Sequence, residues 1–486
     1  MSESLKHKTV KGVVWSSLDR FANQGVSFVF SIVLARLLSP SDYGIIAMIA
    51  IFFSIASCFI DSGFGSALVR KKDRTDEDLY TCFFFNVVVS IACYILLFFC
   101  APLIAKFYNQ PILTPIVRIS GLNLVIGAFA GVSGSMFSYR LDFKTPAIIS
   151  LICNIASGII GIIIAYLGFG VWALVWQGVV SAMLRSLLTV VASKFRPRFT
   201  FSKKSFRYLF GYGSKLTLSY LIGTVYENIY PIFIGRYYKP SQLGNYSRAL
   251  GWAQLPSSNI TGVLQRVTFP VLAEIQDDDH RLAFNYRRLL RLSAFVIFPL
   301  MVGLSAVAAP LIRVVLTSKW DGCIIYLQIV CFALMWYPIH AINLNLLEVK
   351  GRSDLFLRLE IIKKVIGLCI MFVAIPLGVE AMCWSMIVSS IICLFINTVY
   401  TGKIIHVTFW VQMKDILPIF LNSCIMGAIV YSSVSFISTE TLSLVVGILI
   451  GAIYYILSSF FVSKQEFKDL QSIVVKRNEK EENHYR

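Results

Sequence analysis

Charge is scarce in this 486-residue chain: Asp, Glu, Lys and Arg make up 14% of it, and histidine occurs five times. A soluble chain carries about a quarter charged residues, so a conventional water-facing surface is excluded. With 57% of the residues hydrophobic, the apolar excess must face lipid, and no stretch remains for a sizeable aqueous domain. Further absences narrow the class. No Gly-x-x-x-x-Gly-Lys-Ser/Thr loop occurs, which removes an ATPase motor. None of the 11 cysteines forms a Cys-x-x-Cys pair, and Cys58, Cys93, Cys331 and Cys393 typify their apolar settings. Zinc and disulfide frameworks are therefore disfavoured, and small apolar packing residues are favoured. No large hydrophilic loop interrupts the apolar runs, which counts against a membrane glycosyltransferase or polymerase. The run Asp277-Asp278-Asp279-His280 has no nucleotide-binding fold around it and reads as a solvated loop.

What is present is a succession of apolar runs. A spanning helix needs about 20 mostly apolar residues. Runs of that kind fall at 11–37, 43–63, 79–103, 114–138, 146–168 and 170–192, and then at 209–235, 246–271, 289–314, 323–347, 356–377, 379–402, 413–436 and 441–463. The first is too long for a signal-peptide core and contains Asp19, Arg20, Asn23 and Gln24, so it reads as a retained helix. The pattern predicts an all-α integral membrane protein of about 14 spans. Its divisions are an N-lobe over 1–193, a basic linker over 194–208, a C-lobe over 209–402, two further spans over 403–463 and a polar tail over 464–486.

The net charge of +18 does not point to nucleic acid, because no basic segment is long and folded enough to dock a duplex. It follows instead from the concentration of Lys and Arg on the cytoplasmic side of membrane proteins. With the N-terminus inside, alternate connections collect Arg70, Lys71, Lys72 and Arg74, then Arg140 and Lys144, then Lys194, Arg196 and Arg198. Arg281, Arg287, Arg288, Lys350 and Arg352 follow on the same side. The opposite side holds Arg36, Lys106, Arg236, Lys239 and Lys319, and the connections around Gly168 and Gly378 hold no Lys or Arg. Both termini are then cytoplasmic in a bacterial inner membrane. The linker could also bind anionic lipid headgroups.

An internal repeat is present. Ile32, Arg36, Pro40, Ser41 and Gly44 recur at one constant offset as Ile232, Arg236, Pro240, Ser241 and Gly244. Both copies close the opening helix of a half that starts on the same side, so the halves are parallel repeats, a transporter architecture with its site between repeats.

Polar side chains inside spans are costly and mark cavities, partner helices or water. The first span carries Ser16, Arg20, Asn23, Ser27 and Ser31 on one face, flanked by Asp19 and Gln24. The seventh carries Gly213, Thr217, Tyr220, Thr224, Glu227 and Asn228 on one face, with Lys215 nearby. The eighth carries Arg248, Trp252, Asn259 and Arg266 along a shared face. Arg118, Arg185, and His340 with Asn343 add to these. The expectation is a cationic lining of Arg20, Asn23, Arg118, Arg185, Lys215, Arg248 and Arg266, suited to phosphate or an acidic sugar because guanidinium donates in a planar fork. Snorkelling competes as the reading for Arg185, Lys215, Arg266 and Arg313, and a local ion pair competes for Arg20 beside Asp19. Asp19 and Glu227 are candidates for coupling to H+ or Na+, since a carboxylate at depth can exchange a proton through a transport cycle. No catalytic residue, metal site or resident cofactor is expected.

Specific motifs carry a family resemblance. They are Lys8-Thr9-Val10-Lys11-Gly12-Val13-Val14-Trp15-Ser16, the run Leu34-Ala35-Arg36-Leu37-Leu38-Ser39-Pro40-Ser41-Asp42-Tyr43-Gly44, and Asp61-Ser62-Gly63-Phe64-Gly65. Phe269-Pro270 before Ile275-Gln276-Asp277-Asp278, and Lys319-Trp320, complete the set. In order and spacing they resemble the polysaccharide flippases of the multidrug/oligosaccharidyl-lipid/polysaccharide exporter superfamily, closest to the Wzx-type group that includes the colanic acid exporter. The resemblance implies two pseudo-symmetric six-helix lobes plus two C-terminal helices around a V-shaped central cavity. It further implies alternating-access movement of undecaprenyl-pyrophosphate-linked oligosaccharide units from the cytoplasmic to the periplasmic leaflet, ion coupling, and a polysaccharide polymerase and chain-length regulator as partners. A cation-coupled multidrug antiporter is the alternative, but its site should be acidic and aromatic, and the excess of basic groups in the spans counts against it.

Overall fold

The computed structural model describes residues 22–61, 63–71, 73–196, 198, 200–469 and 471, with the side chains of Lys215 and Val267 outside the description. Asp19 and Arg20 also lie outside the described residues. Among the described residues every regular element is a helix and no strand occurs. An isolated backbone polar group in hydrocarbon has no water to bond, and helices satisfy such groups within one segment.

The chain divides into two compact units, Met1–Gly244 and Asn245–Arg486. The first contains α1 (Ala22–Leu37), α2 (Pro40–Asp61), α3 (Phe64–Arg70), α4 (Asp76–Tyr108), α5 (Leu113–Ser120), α6 (Leu122–Tyr139), α7 (Lys144–Tyr166), α8 (Trp172–Ser193), α9 (Lys203–Glu227) and α10 (Ile229–Tyr237). Helix α11 (Pro240–Glu274) begins in this unit and continues into the second. The second unit adds α12 (Asp279–Ala306), α13 (Ala308–Leu316), α14 (Gly322–Leu334), α15 (Tyr337–Val349), α16 (Ser353–Ala374), α17 (Val379–Ile405), α18 (Phe409–Ser435) and α19 (Glu440–Val462). A short helical turn over 464–469 follows.

Ten helical segments are long and apolar enough to cross a membrane: α2–α3, α4, α5–α6, α7, α8, α12, α14–α15, α17, α18 and α19. Helices also stand where the other four spans are expected, but they do not reach that apolar length, for two reasons. The first is described only from Ala22. The others are diluted by polar or charged residues: Ser214, Thr217, Ser219 and Thr224 in α9, Gln254, Ser257, Ser258 and Asn259 in α11, and Arg358, Glu360, Lys363 and Lys364 in α16. Four expected spans are broken helices, at Ser120–Gly121, Asn228, Val307 and Met335–Trp336. At the first break, a Cβ on Gly121 would lie 2.8 Å from the Tyr94 ring, so α4 and α5 approach each other closely only because no side chain is there.

In the first unit α4 packs on α6 and α5, and α8 on α6 and α7. Its main core joins Phe64, Leu68, Leu79, Phe83, Val132, Met136 and Leu209. In the second unit α12 is central and packs on α18, α14 and α15, while α17 packs on α14, α16 and α15. The last two spans are therefore integral to that unit, with α18 lying along α12 and α19 along α18 and α13. Outward positions are apolar, such as Val88, Leu96 and Phe99 on α4, the reverse of a soluble helix.

The internal repeat has a structural counterpart. Proline opens both α2 and α11, at Pro40 and Pro240. Asp42 accepts from Ser39 N and Oγ at 2.9 and 2.7 Å, and Gln242 accepts from Lys239 N at 3.2 Å, so both helix starts are capped from the third residue on. The copies also meet reciprocally. A Cβ on Gly44 would collide with the Pro240 carbonyl group, and one on Gly244 with the Pro40 carbonyl group.

Candidate functional site

Asn23, on α1, accepts a 2.8 Å hydrogen bond from Asn154 Nδ2 on α7. Ser150, one turn earlier on α7 and on the same face, accepts from Arg185 Nη1 of α8 at 3.3 Å. Two expected residues from the first and sixth spans are thus brought to adjacent turns of one helix face. Arg185 is exposed and lines a cavity of about 270 Å3 together with Ser138, Asp142, Ser150 and Thr189. Asp142 caps α7 by accepting from Thr145 N and Oγ1 at 3.1 and 2.7 Å. The result is a cleft with hydroxyl groups, one carboxylate and one guanidinium open to it, and the Asn23–Asn154 pair lies one turn further along α7. Such a cleft can donate to an anion and exchange hydrogen bonds with sugar hydroxyls.

The other expected residues do not join it. Arg118 on α5 donates from Nε to the Phe98 carbonyl at 3.4 Å and lies 4.3 Å from the Phe98 ring centre. It packs on α4 instead of lining a shared cationic surface, because the ring and carbonyl satisfy its head locally. In the second unit Arg248 sits 5.3 Å from the ring centre of buried Trp320, the aromatic residue of the Lys319-Trp320 motif. Arg266, on the same helix, is exposed. Glu227 is exposed at the last turn of α9, and Lys215 has a described backbone only. The expected polar face of α9 divides. Gly213 and Thr217 are buried and Thr224 lies 3.2 Å from Cys58 on α2, whereas Tyr220 and Glu227 are exposed. Arg313 is ion-paired with Asp321 and Glu440 at 3.1 and 2.9 Å.

A second polar cluster lies inside the second unit. Asn343 donates to Gln412 Oε1 at 3.3 Å and accepts from Thr401 at 2.8 Å, while Tyr286 donates to the same Gln412 oxygen at 3.3 Å. His340 lies 3.1 Å from Ser390 Oγ and 3.2 Å from Asn397 Nδ2. Sequence reasoning singled out only His340 and Asn343. The signal for the others was available, since Tyr286, Asn397, Thr401 and Gln412 are further polar residues in or beside apolar runs. The cluster contains no carboxylate and ties α12, α15, α17 and α18 together. Among the described residues no group of three or more His, Cys, Asp or Glu side chains could hold a metal ion.

The sequence profile described as "Polysaccharide biosynthesis protein" matches residues 33–325. The chain is 25% identical over 366 residues to the lipopolysaccharide biosynthesis protein WzxC of Escherichia coli K12, covering 74% of each chain. It is 24% identical over 461 residues to the teichuronic acid biosynthesis protein TuaB of Bacillus subtilis 168, covering 93% of this chain and 95% of that one. The fold is similar to that of the lipid II flippase MurJ in an inward closed conformation, with a TM-score of 0.76 at 19% identity over 94% of this chain and 99% of MurJ. The apolar helices and these relatives together define a multi-pass membrane protein with a MurJ-like fold. The chain belongs to the polysaccharide biosynthesis protein family, and the resemblance to Wzx-type exporters is borne out.

Proposed function

We propose that this protein is a flippase for undecaprenyl-pyrophosphate-linked oligosaccharide units, moving them from the cytoplasmic to the periplasmic leaflet of a bacterial inner membrane by alternating access. The observation that carries this reading is the polar face of α7, where the Asn23–Asn154 pair stands one turn from Ser150 and Arg185, which line a cavity, inside a unit otherwise faced with apolar side chains. A lipid-linked sugar needs that combination: hydroxyl and amide groups for the glycan, a cation for pyrophosphate and an apolar exterior for the lipid tail. The names of its relatives WzxC and TuaB, both polysaccharide biosynthesis proteins, support the substrate class.

In this reading the spans number fourteen, as two six-helix lobes and two C-terminal helices, with both termini cytoplasmic. Arg20, Lys215, Arg248 and Arg266 supply further cationic contacts. Asp19 and Glu227 couple transport to H+ or Na+. A polymerase and a chain-length regulator act on the delivered units. Deleting the gene in its host and following lipid-linked oligosaccharides by leaflet tests the reading: complete units accumulate on the cytoplasmic leaflet and surface glycan is lost. Normal sidedness with new sensitivity to cationic compounds would reject it in favour of drug efflux. Glu227→Gln should remove the dependence of transport on the coupling ion while leaving the folded yield unchanged, and retained dependence would reject Glu227 as the coupling group.

A further inference from the structure

We infer that the first unit carries a separate binding site for a phosphate-class anion, built from Arg74, Tyr139, Arg140, Lys194, Arg196 and Arg198. It does not depend on which substrate the protein moves. The site begins with a turn. Lys194 ends α8 in the left-handed conformation, at φ 55° and ψ 23°. The next residue, Phe195, is 8% exposed and packs 5.9 Å from the Tyr80 ring and 5.8 Å from the Phe83 ring of α4. That anchor folds the basic segment back against α4 and α6. A cavity of about 600 Å3 results, lined by Arg140, Lys194, Arg196 and Arg198. Arg74 lies beside it, 4.2 Å above the ring of Tyr139, which is itself a lining residue.

Two observations separate this group from a general excess of Lys and Arg at one side of a membrane. First, none of the five cations is ion-paired among the described residues. Asp76 is the single carboxylate lining the cavity. In the second unit five cations at or beside the corresponding connections are neutralised: Arg287 and Arg291 by Asp415, Arg288 by Asp469, Lys350 by Asp279 and Arg352 by Asp354. Second, Nη1 of Arg74 is buried with no hydrogen-bond partner. A buried guanidinium N–H without an acceptor is costly, and a phosphate oxygen is a strong acceptor for it. Unpaired charge and the orphan donor fit a phosphate group better than a carboxylate, because cations from the end of α6 and from the segment after α8 line one cavity and phosphate offers more acceptor oxygens. A membrane phospholipid headgroup and free phosphate share this chemistry.

The test uses the full-length protein in phosphatidylcholine nanodiscs, titrated with short-chain phosphatidylglycerol or with inorganic phosphate, with bound anions counted by native mass spectrometry. One saturable equivalent is expected. The triple variant Arg140→Gln, Arg196→Gln, Arg198→Gln should weaken it about tenfold or more. Arg281→Gln, which removes an exposed cation of the second unit, should not change it. Phosphatidylglycerol binding that inorganic phosphate fails to displace assigns the site to a lipid headgroup; displacement at similar concentration assigns it to free phosphate. The replaced cations are exposed, and a melting curve confirms folding; should the triple variant not fold, Arg196→Glu alone replaces it. Absence of saturable binding, or equal weakening by Arg281→Gln, overturns the inference.

Discussion

At the scale of single residues, the arginines inside apolar runs separate by what satisfies them. Arg118 is held by a carbonyl and a ring on the neighbouring helix, so its head is already used. Arg185 has one long hydrogen bond to a serine and otherwise faces a cavity. This difference predicts opposite phenotypes. Arg185→Gln should reduce surface glycan severalfold with little change in thermal unfolding. Arg118→Gln should lower stability by about 1 kcal/mol and leave export per folded molecule unchanged. Export assays normalised to folded protein, with melting curves in detergent, check both, and a transport defect confined to Arg118→Gln would reverse the assignment. The buried amide of Asn343 gives a third case. Asn343→Leu leaves Gln412 and Thr401 each short of a partner and should cost about 1–3 kcal/mol, read as a lower unfolding temperature. The composition showed that Arg118, Arg185 and Asn343 stand in apolar runs. It could not show their partners, because Phe98, Ser150 and Gln412 are reached only by packing one helix on another.

Among the helices, the repeated motif is the feature most fully legible in the sequence. Proline at the first turn has no N–H to lose, so Pro40 and Pro240 mark helix starts at matching places. The capping residues differ, Asp42 in one copy and Gln242 in the other, yet each accepts from the backbone three residues earlier. The role of the paired glycines was not legible. Each lies where the other copy's proline carbonyl passes, with room for a hydrogen but not for a methyl group. Gly44→Ala and Gly244→Ala should therefore each destabilise by about 1–3 kcal/mol through overpacking. Gly127→Ala is the control, since a Cβ there meets nothing within 4 Å, and it should be neutral. Unfolding temperatures of the three variants decide this. Three of the four broken helices were also hidden, since the breaks at Gly121, Val307 and Met335 lie inside continuous apolar runs whose composition does not change there, whereas the fourth follows the polar pair Glu227-Asn228.

Over the whole molecule, the two units use their basic residues differently. In the second, the helical turn over 464–469 is fastened to α12, with Glu466 2.8 Å from Arg291 and Asp469 2.7 Å from Arg288. Asp415 on α18 takes a bidentate contact from Arg287 at 2.6 and 2.7 Å. Because the Arg287 side chain is 40% exposed, the pair itself contributes only about 1 kcal/mol after solvent screening. Asp415 is 8% exposed, and replacing it leaves two guanidinium groups facing each other, so Asp415→Ala should cost somewhat more, about 1–3 kcal/mol. Loss of the two tail carboxylates in Glu466→Gln, Asp469→Asn should release the tail to limited proteolysis, with the largest contrast to the unsubstituted protein at low salt, where the pairs are least screened, while the helical bundle stays intact. Unchanged cleavage would show that apolar contacts, not these pairs, hold the tail.

The sequence by itself determined the class of the molecule: apolar runs of spanning length, polar residues within them, and a motif repeated at constant offset are all one-dimensional properties. It also marked Asn23 and Arg185 as residues out of place in lipid. Only the tertiary structure decided what those residues face. Asn23 meets Asn154 and Arg185 meets Ser150 on adjacent turns of α7. Arg118 is diverted onto Phe98, and the polar face expected on α9 divides between α2 and exposed positions. The physical reason is that burial and hydrogen-bond geometry depend on which helices become neighbours. In a chain so uniformly apolar, almost any helix face can lie against another, and contacts that select the neighbours, such as the Asn23–Asn154 hydrogen bond and the Arg287–Asp415 pair, act across separations of more than 100 residues.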